Sequence, residues 1–154
     1  KIAPDLENDE LKIIIELCQK YKIDGIVATN TSVDRNYNLK SNYSKENGGL
    51  SGKPIFNQSN LILAKLYYLS NGKIPLIGVG GVFTGKDAYK KICIGATIVQ
   101  LYTALSYEGP FLFNDILNEL NSLVERDGFK NISEAVGSKN YEFLKEETDL
   151  SIFG

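Results

Sequence analysis

The chain has 154 residues, 43% of them hydrophobic and 23% charged, with a net charge of −2; these values fit an ordinary soluble globular domain with one real core. There is no basic excess, which argues against nucleic acid as a partner, and no apolar run approaches the roughly 20 residues of a membrane-spanning helix. Histidine is absent, so the commonest general base and metal ligand is missing, and two distant cysteines, Cys18 and Cys93, do not make a zinc site. Both read as buried structural thiols.

The opening Lys1-Ile2-Ala3 ends at Pro4-Asp5 like the tip of a strand, and reads as the middle of a longer polypeptide. Asn8 is placed to cap a helix from Asp9 to about Lys22, with Leu11, Ile14, Ile15 and Cys18 on one buried face. Gly25-Ile26-Val27-Ala28 is the next strand and runs out into the polar Thr29-Asn30-Thr31-Ser32. From Val33 to Gln58 there is a long polar connection containing Gly48-Gly49-Leu50-Ser51-Gly52; a connection of this length usually has a function or acts as a lid. A helix is expected from about Ser59 to Leu69, with Ile62, Leu66 and Leu69 on one side.

Pro75 to Val82 is a short apolar run stopped by Gly80-Gly81, which suits a parallel strand covered on both faces. Thr84 begins a helix in a Thr-x-x-Asp pattern that ends at Gly95. Thr97 to Leu101 reads as another buried strand, running into Tyr102-Thr103. Gly109-Pro110 opens a long helix to about Arg126, with Phe113, Ile116, Leu117, Leu120 and Val124 inward, closed by Gly128. A short helix over Ile132 to Val136 is capped by Asn131, with Glu134 three residues on. Residues 138–154 read as a polar, loose C-terminal tail, leaving 1–137 as the folded unit.

Strand and helix alternate through four units, and such an array builds a parallel sheet. Four strands do not close a barrel, so the chain is either a small open α/β sheet or half of a TIM (β/α)8 barrel. In such barrels phosphate is held by backbone N–H groups of the loops after the last two strands, here Gly80-Gly81 and Tyr102-Thr103. The glycines read equally well as a tight turn, and Gly48–Gly52 as a flexible surface loop. Thr29-Asn30-Thr31-Ser32 can offer an amide and hydroxyls to a polar ring or cap its own turn. Lys1 by itself is a solvated charge.

Five segments, Lys1–Leu6, Asp24–Thr31, Gly48–Gly52, Ile77–Gly81 and Gln100–Tyr102, together resemble the dihydroorotate dehydrogenase family, and most closely its membrane-associated, quinone-using class 2. The resemblance runs from the first residue to about Gly137 and implies the C-terminal half of a TIM barrel, four parallel βα units, with FMN at the rim. It implies Lys1 beside the flavin ring, where a fixed cation favours the reduced form, and Thr29 against the flavin. Asn30 and Thr31 would hydrogen-bond dihydroorotate or orotate, and Gly52, Gly80, Gly81, Tyr102 and Thr103 would hold the FMN phosphate. No catalytic residue is implied within the chain, since the class's serine base lies upstream. The implied reaction belongs to pyrimidine synthesis and passes electrons to ubiquinone. It would take place peripherally on the mitochondrial inner membrane, or on the bacterial inner membrane, and would need the N-terminal half-barrel. Two other readings are a different FMN barrel of the dihydropyrimidine dehydrogenase type and a non-catalytic βα module binding a partner through residues 33–58.

Overall fold

The computed structural model describes residues 1–37 and 39–153, with side chains to residue 151. Asn38 in the expected long connection and Gly154 in the expected tail lie outside the described residues. Helix α1 (Asn8–Lys20) is followed by β1 (Ile26–Ala28), a 3-10 turn over Lys53–Ile55, α2 (Phe56–Leu69), β2 (Leu76–Val79), α3 (Gly85–Cys93) and β3 (Ile98–Gln100). Then come α4 (Thr103–Glu108), α5 (Leu112–Arg126), α6 (Ile132–Ala135), α7 (Asn140–Glu147) and a last 3-10 turn. The strands form one parallel sheet in the order β1-β2-β3. Ile2 adds a parallel bridge to Ala28, so the expected first strand is reduced to one bridge at the sheet edge. Among the described residues no helix is long and apolar enough to cross a membrane.

Alternation along the strands divides the sheet into two faces. Ile26, Ala28 and Leu76 are buried under α1, α2 and α7 in the largest core cluster. The other face carries Val27, Ile77 and Ile98, which share one register row across the three strands. That row is poorly covered, and Ile98 is 58% exposed. The expectation of a buried strand at 97–101 is therefore corrected. β3 is the sheet edge, and among the described residues no further strand pairs with it or covers its inner face.

Local chemistry accounts for most helix ends. α1 begins one residue earlier than expected, because Glu7 and Glu10 form a reciprocal capping pair with the backbone and Asn8 becomes the first helical residue. Thr84 and Asp87 form the expected capping box, and Asn131 accepts from the Ser133 N–H as expected. α2 starts three residues early, at Phe56, after a 3-10 turn with Pro54 in its first positions, where the ring's fixed φ suits a helix start. α4 was not foreseen; six residues are too few for a periodic signal. In α5 the inward residues are Leu112, Ile116, Leu123 and Val124, with Leu120 partly buried, while Phe113 and Leu117 are exposed. The stripe is rotated because α5 packs against α3, and Phe113 and Leu117 fall outside that contact. Cys93 is buried and Cys18 half-buried, both as free thiols.

The loose tail is overturned. α7 docks on the main core through Phe143 and the fully buried Leu144. The buried Asn140 amide donates to the carbonyls of Ala64 (3.0 Å) and Ile94 (2.7 Å). Only a few of its residues are apolar, so composition concealed the docking. Leu144→Ala should cost about 2–5 kcal/mol of stability, the range for emptying a packed leucine site. Urea unfolding would read it, and an unchanged midpoint would mean that α7 does not dock.

Candidate functional site

The loops at the carboxyl ends of the strands meet at one cleft. It is lined by Lys1, Thr29, Asn30, Thr31, Gly52, Gly80, Gly81, Tyr102 and Thr103, the residues singled out from the sequence, together with Ser51, Ile55, Phe83 and Leu101. Residues far apart in sequence converge because parallel units point all their carboxyl ends the same way.

The β1 exit is tightly tied. The Thr29 N–H donates to the Val79 carbonyl (2.9 Å) and the Asn30 N–H to the Ile2 carbonyl (2.6 Å). The Thr29 hydroxyl is buried and donates to the Asn30 carbonyl (3.0 Å). Asn30 is exposed, and its Oδ1 accepts from the Thr31 N–H (2.9 Å). That bond fixes the amide so that Nδ2, a double donor, is left for the cleft. Beyond it, Ser32 donates to the Asp5 carboxylate (2.6 Å), which also accepts from the Val33 N–H (2.9 Å). Ser32 also pairs with Leu50 in an antiparallel bridge, and the Arg35 guanidinium donates to the carbonyls of Glu46 and Gly48. The long connection is thus anchored at both ends. Part of the self-capping alternative for Thr29–Ser32 is realised here, since Asn30 and Ser32 both serve their own turn.

The glycine pair has a second reason for being glycine. Gly80 (φ +122°) and Gly81 (φ +73°) both lie where side chains are disfavoured. A Cβ on Gly81 would also stand 2.6 Å from Phe56 Cβ and 2.8 Å from Phe56 Cα, and one on Gly80 would stand 2.8 Å from Ser59 Oγ. The first turn of α2 therefore occupies the space into which a side chain at this turn would project. The backbone donors remain available. Among the described residues, the N–H groups of Gly52, Gly81, Tyr102 and Thr103 have no hydrogen-bond partner. Thr103 also joins two of the loops, its hydroxyl donating to Ser51 Oγ (3.0 Å). Unpaired N–H groups converging on one cleft, beside a Lys1 that forms no ion pair among the described residues, suit an anion such as phosphate.

Behind the glycine pair lies a residue that sequence reasoning missed. Lys91 on α3 is fully buried, and its ammonium donates to Ser59 Oγ (2.9 Å) and Asn60 Oδ1 (2.7 Å). Burial pushes its pKa down to about 7, with Asp87 opposing that shift and Lys90 adding to it. Its side chain crosses Gly78, where a Cβ would come within 3.1 Å of Lys91 Cδ. The signal in the sequence was a lysine in line with the apolar face of α3, at the i+3 position from Ala88.

A lysine whose folded pKa lies below its unfolded value of 10.5 makes the unfolded chain bind more protons between those two values. Stability should then rise from about pH 7 to about pH 10.5, by roughly 1.4 kcal/mol per pH unit, and be flat on either side. Lys65, also lowered by burial, adds to the slope, so the measurable quantity is the difference from Lys91→Met. Denaturant midpoints from pH 6.5 to 9.5 should diverge; parallel curves would mean Lys91 titrates normally.

Comparison with known proteins identifies the family and the fold. The family model described as dihydroorotate dehydrogenase matches residues 1–124. A rice protein named dihydroorotate dehydrogenase (quinone), mitochondrial, is 50% identical over 139 residues, 90% of this chain and 30% of its own length. A Cereibacter sphaeroides protein named dihydroorotate dehydrogenase (quinone) is 48% identical over 144 residues, 94% of this chain and 40% of its own. The ligand-free crystal structure of DHODH from Eimeria tenella superposes with a TM-score of 0.87 at 36% identity, covering 90% of this chain and 38% of that one. The chain thus spans roughly a third of the relatives it matches, and its open sheet is a segment of the family's (β/α)8 barrel. With the family model covering most of its length and the fold superposing closely, this chain belongs to the dihydroorotate dehydrogenase family.

Proposed function

We propose that the chain is the C-terminal half of the barrel of a quinone-using dihydroorotate dehydrogenase, which oxidises dihydroorotate to orotate in pyrimidine synthesis and passes the electrons to ubiquinone. FMN, when bound, supplies the redox chemistry. The unpaired N–H groups of Gly52, Gly81, Tyr102 and Thr103 receive its phosphate, with Gly80 shaping the loop. Lys1 and Thr29 would hold the flavin ring, and Asn30 and Thr31 would hold the pyrimidine ring. Asn30 Nδ2 meets a ring carbonyl or the substrate carboxylate. The proton acceptor, a serine, comes from outside this chain.

The single observation that carries the reading is the convergence of these residues on one cleft. The cleft is partly open, with a volume of about 100 Å³, against roughly 300–1,000 Å³ for ordinary small-molecule sites. That supports a site completed by further residues, as does the uncovered row of Val27, Ile77 and Ile98. The N-terminal half-barrel is therefore a required partner and covers that row, and this chain alone is inactive. The name of the rice relative supports a mitochondrial enzyme; in a eukaryote it sits peripherally at the mitochondrial inner membrane, and in a bacterium at the inner membrane.

The test is spectroscopic. The full-length protein that contains this chain should purify yellow, and orotate should perturb its flavin spectrum while uracil does not. A uracil response without an orotate response would favour the dihydropyrimidine dehydrogenase type. Colourless protein would favour a non-catalytic module.

A further inference from the structure

We propose that Lys91 is a positioning residue for the phosphate-binding loop, holding the Gly80–Gly81 peptide in its anion-receiving orientation through Ser59. The inference rests on the phosphate reading above and adds a buried cation behind the loop to it.

The chain of contacts is short. Ser59 Oγ accepts from the Lys91 ammonium, and its one proton lies within reach of the carbonyls of Phe56 (3.0 Å) and Gly80 (3.2 Å). Donation from Lys91 occupies one of the oxygen's two lone pairs and leaves the proton to point toward the carbonyls. The Gly80 carbonyl is thereby drawn toward α2. The Gly80–Gly81 peptide is trans, so its N–H points opposite to its carbonyl, and Gly81 N–H faces the cleft. A second link runs through Phe56, whose ring lies 5.3 Å from the ammonium and whose Cβ packs where a Gly81 side chain would stand.

The lysine is hydrogen-bonded but not neutralised by a carboxylate among the described residues. The charged groups that bear on it are Asp87 and Lys90 of its own helix, and the Asp87 carboxylate is engaged by the Phe83 and Thr84 N–H groups. From α2 and β2 it is faced by Ser59, Asn60, Phe56 and Gly78, all uncharged. No ion pair involves Lys91 among the described residues, and the Asn60 Nδ2 beside it is buried without a partner. A buried, unpaired cation is costly. An anion in the adjoining cleft would stabilise it, and by reciprocity the cation would favour the anion.

Displacement of labelled FMN from the full-length holoenzyme, by unlabelled FMN or by riboflavin, separates phosphate recognition from ring recognition. Wild-type protein should prefer FMN strongly. In Lys91→Met and Ser59→Ala that preference should fall about tenfold or more, with riboflavin affinity within twofold of wild type. Ser59→Ala keeps the lysine and removes one hydroxyl, so it decides the matter if Lys91→Met fails to fold or loses its flavin. An unchanged preference in Ser59→Ala, or equal losses for FMN and riboflavin, would overturn the proposal. A wild-type protein that binds riboflavin as well as FMN would instead overturn the phosphate reading beneath it.

Discussion

Asn30→Ala, made in the full-length protein, should lower dihydroorotate turnover by about 100-fold while leaving bound flavin near the wild-type level. The reason is the amide's fixed orientation. With Oδ1 held by the Thr31 N–H at 2.9 Å, the side chain presents donors to the cleft, and a site that donates to a ring loses discrimination when the donor goes. An unpaired polar partner costs about 1–3 kcal/mol, which corresponds to roughly fivefold to 160-fold in rate. Asn30→Asp sharpens the test. A carboxylate can still accept from Thr31 N–H but cannot donate to substrate, so it should lose at least as much as alanine. Steady-state kinetics with parallel flavin absorbance would read both. Retention of activity in Asn30→Asp, or flavin lost in step with activity, would remove Asn30 from the substrate site.

Gly81→Val should have the other large effect, and on two readouts. The substitution places a branched side chain at φ +73° and within 2.8 Å of the α2 backbone at Phe56. Strain at a positive φ and overpacking each cost about 1–3 kcal/mol, so a stability loss of about 3–5 kcal/mol is expected. The flavin site should empty as well, because Phe56 and the Gly81 N–H move together. Gly52→Ala is the milder comparison. At φ +80° its Cβ meets only the Thr103 side chain, nearest at 3.0 Å, so the melting temperature should fall less while the proposed phosphate contact still suffers. Gly81→Val protein with wild-type melting and full flavin would show that neither the α2 packing nor the phosphate contact matters.

These two sites differ in how far local sequence foretells them. Asn30 sits in a polar run directly after an apolar strand, so its place at the rim follows from alternation and strand direction. The glycine pair marks the end of β2 equally well, but its reason does not follow. The residue that fills the space beside Gly81 is Phe56, twenty-five positions earlier in the chain, and a strand-end pattern carries no information about it. Lys91 is the stronger case. In sequence it is one of two adjacent lysines near the end of α3; its alignment with Ala88 is the one local hint, and the packing of α2 and β2 decides that it is buried while Lys90 is not.

The helices show the same division. Thr84 with Asp87 and Asn131 with Ser133 act within four residues, so capping chemistry alone determines them. The face of α5 and the docking of α7 depend on partners elsewhere. Phe113 and Leu117 are apolar at helical spacing yet exposed, whereas Asn140, polar and apparently part of a tail, is buried between two carbonyls.

What the amino-acid order determined by itself was the succession of parallel βα units, the capping of individual helices, and the residues carried to the strand exits, since each rests on contacts a few positions long. Tertiary structure alone decided which face each helix buries, that β3 is an edge, that α2 fills the space beside the glycines, and that a lysine lies behind them. Those outcomes depend on side chains that meet only after the chain has closed on itself, and the sequence separation between the partners leaves no local trace.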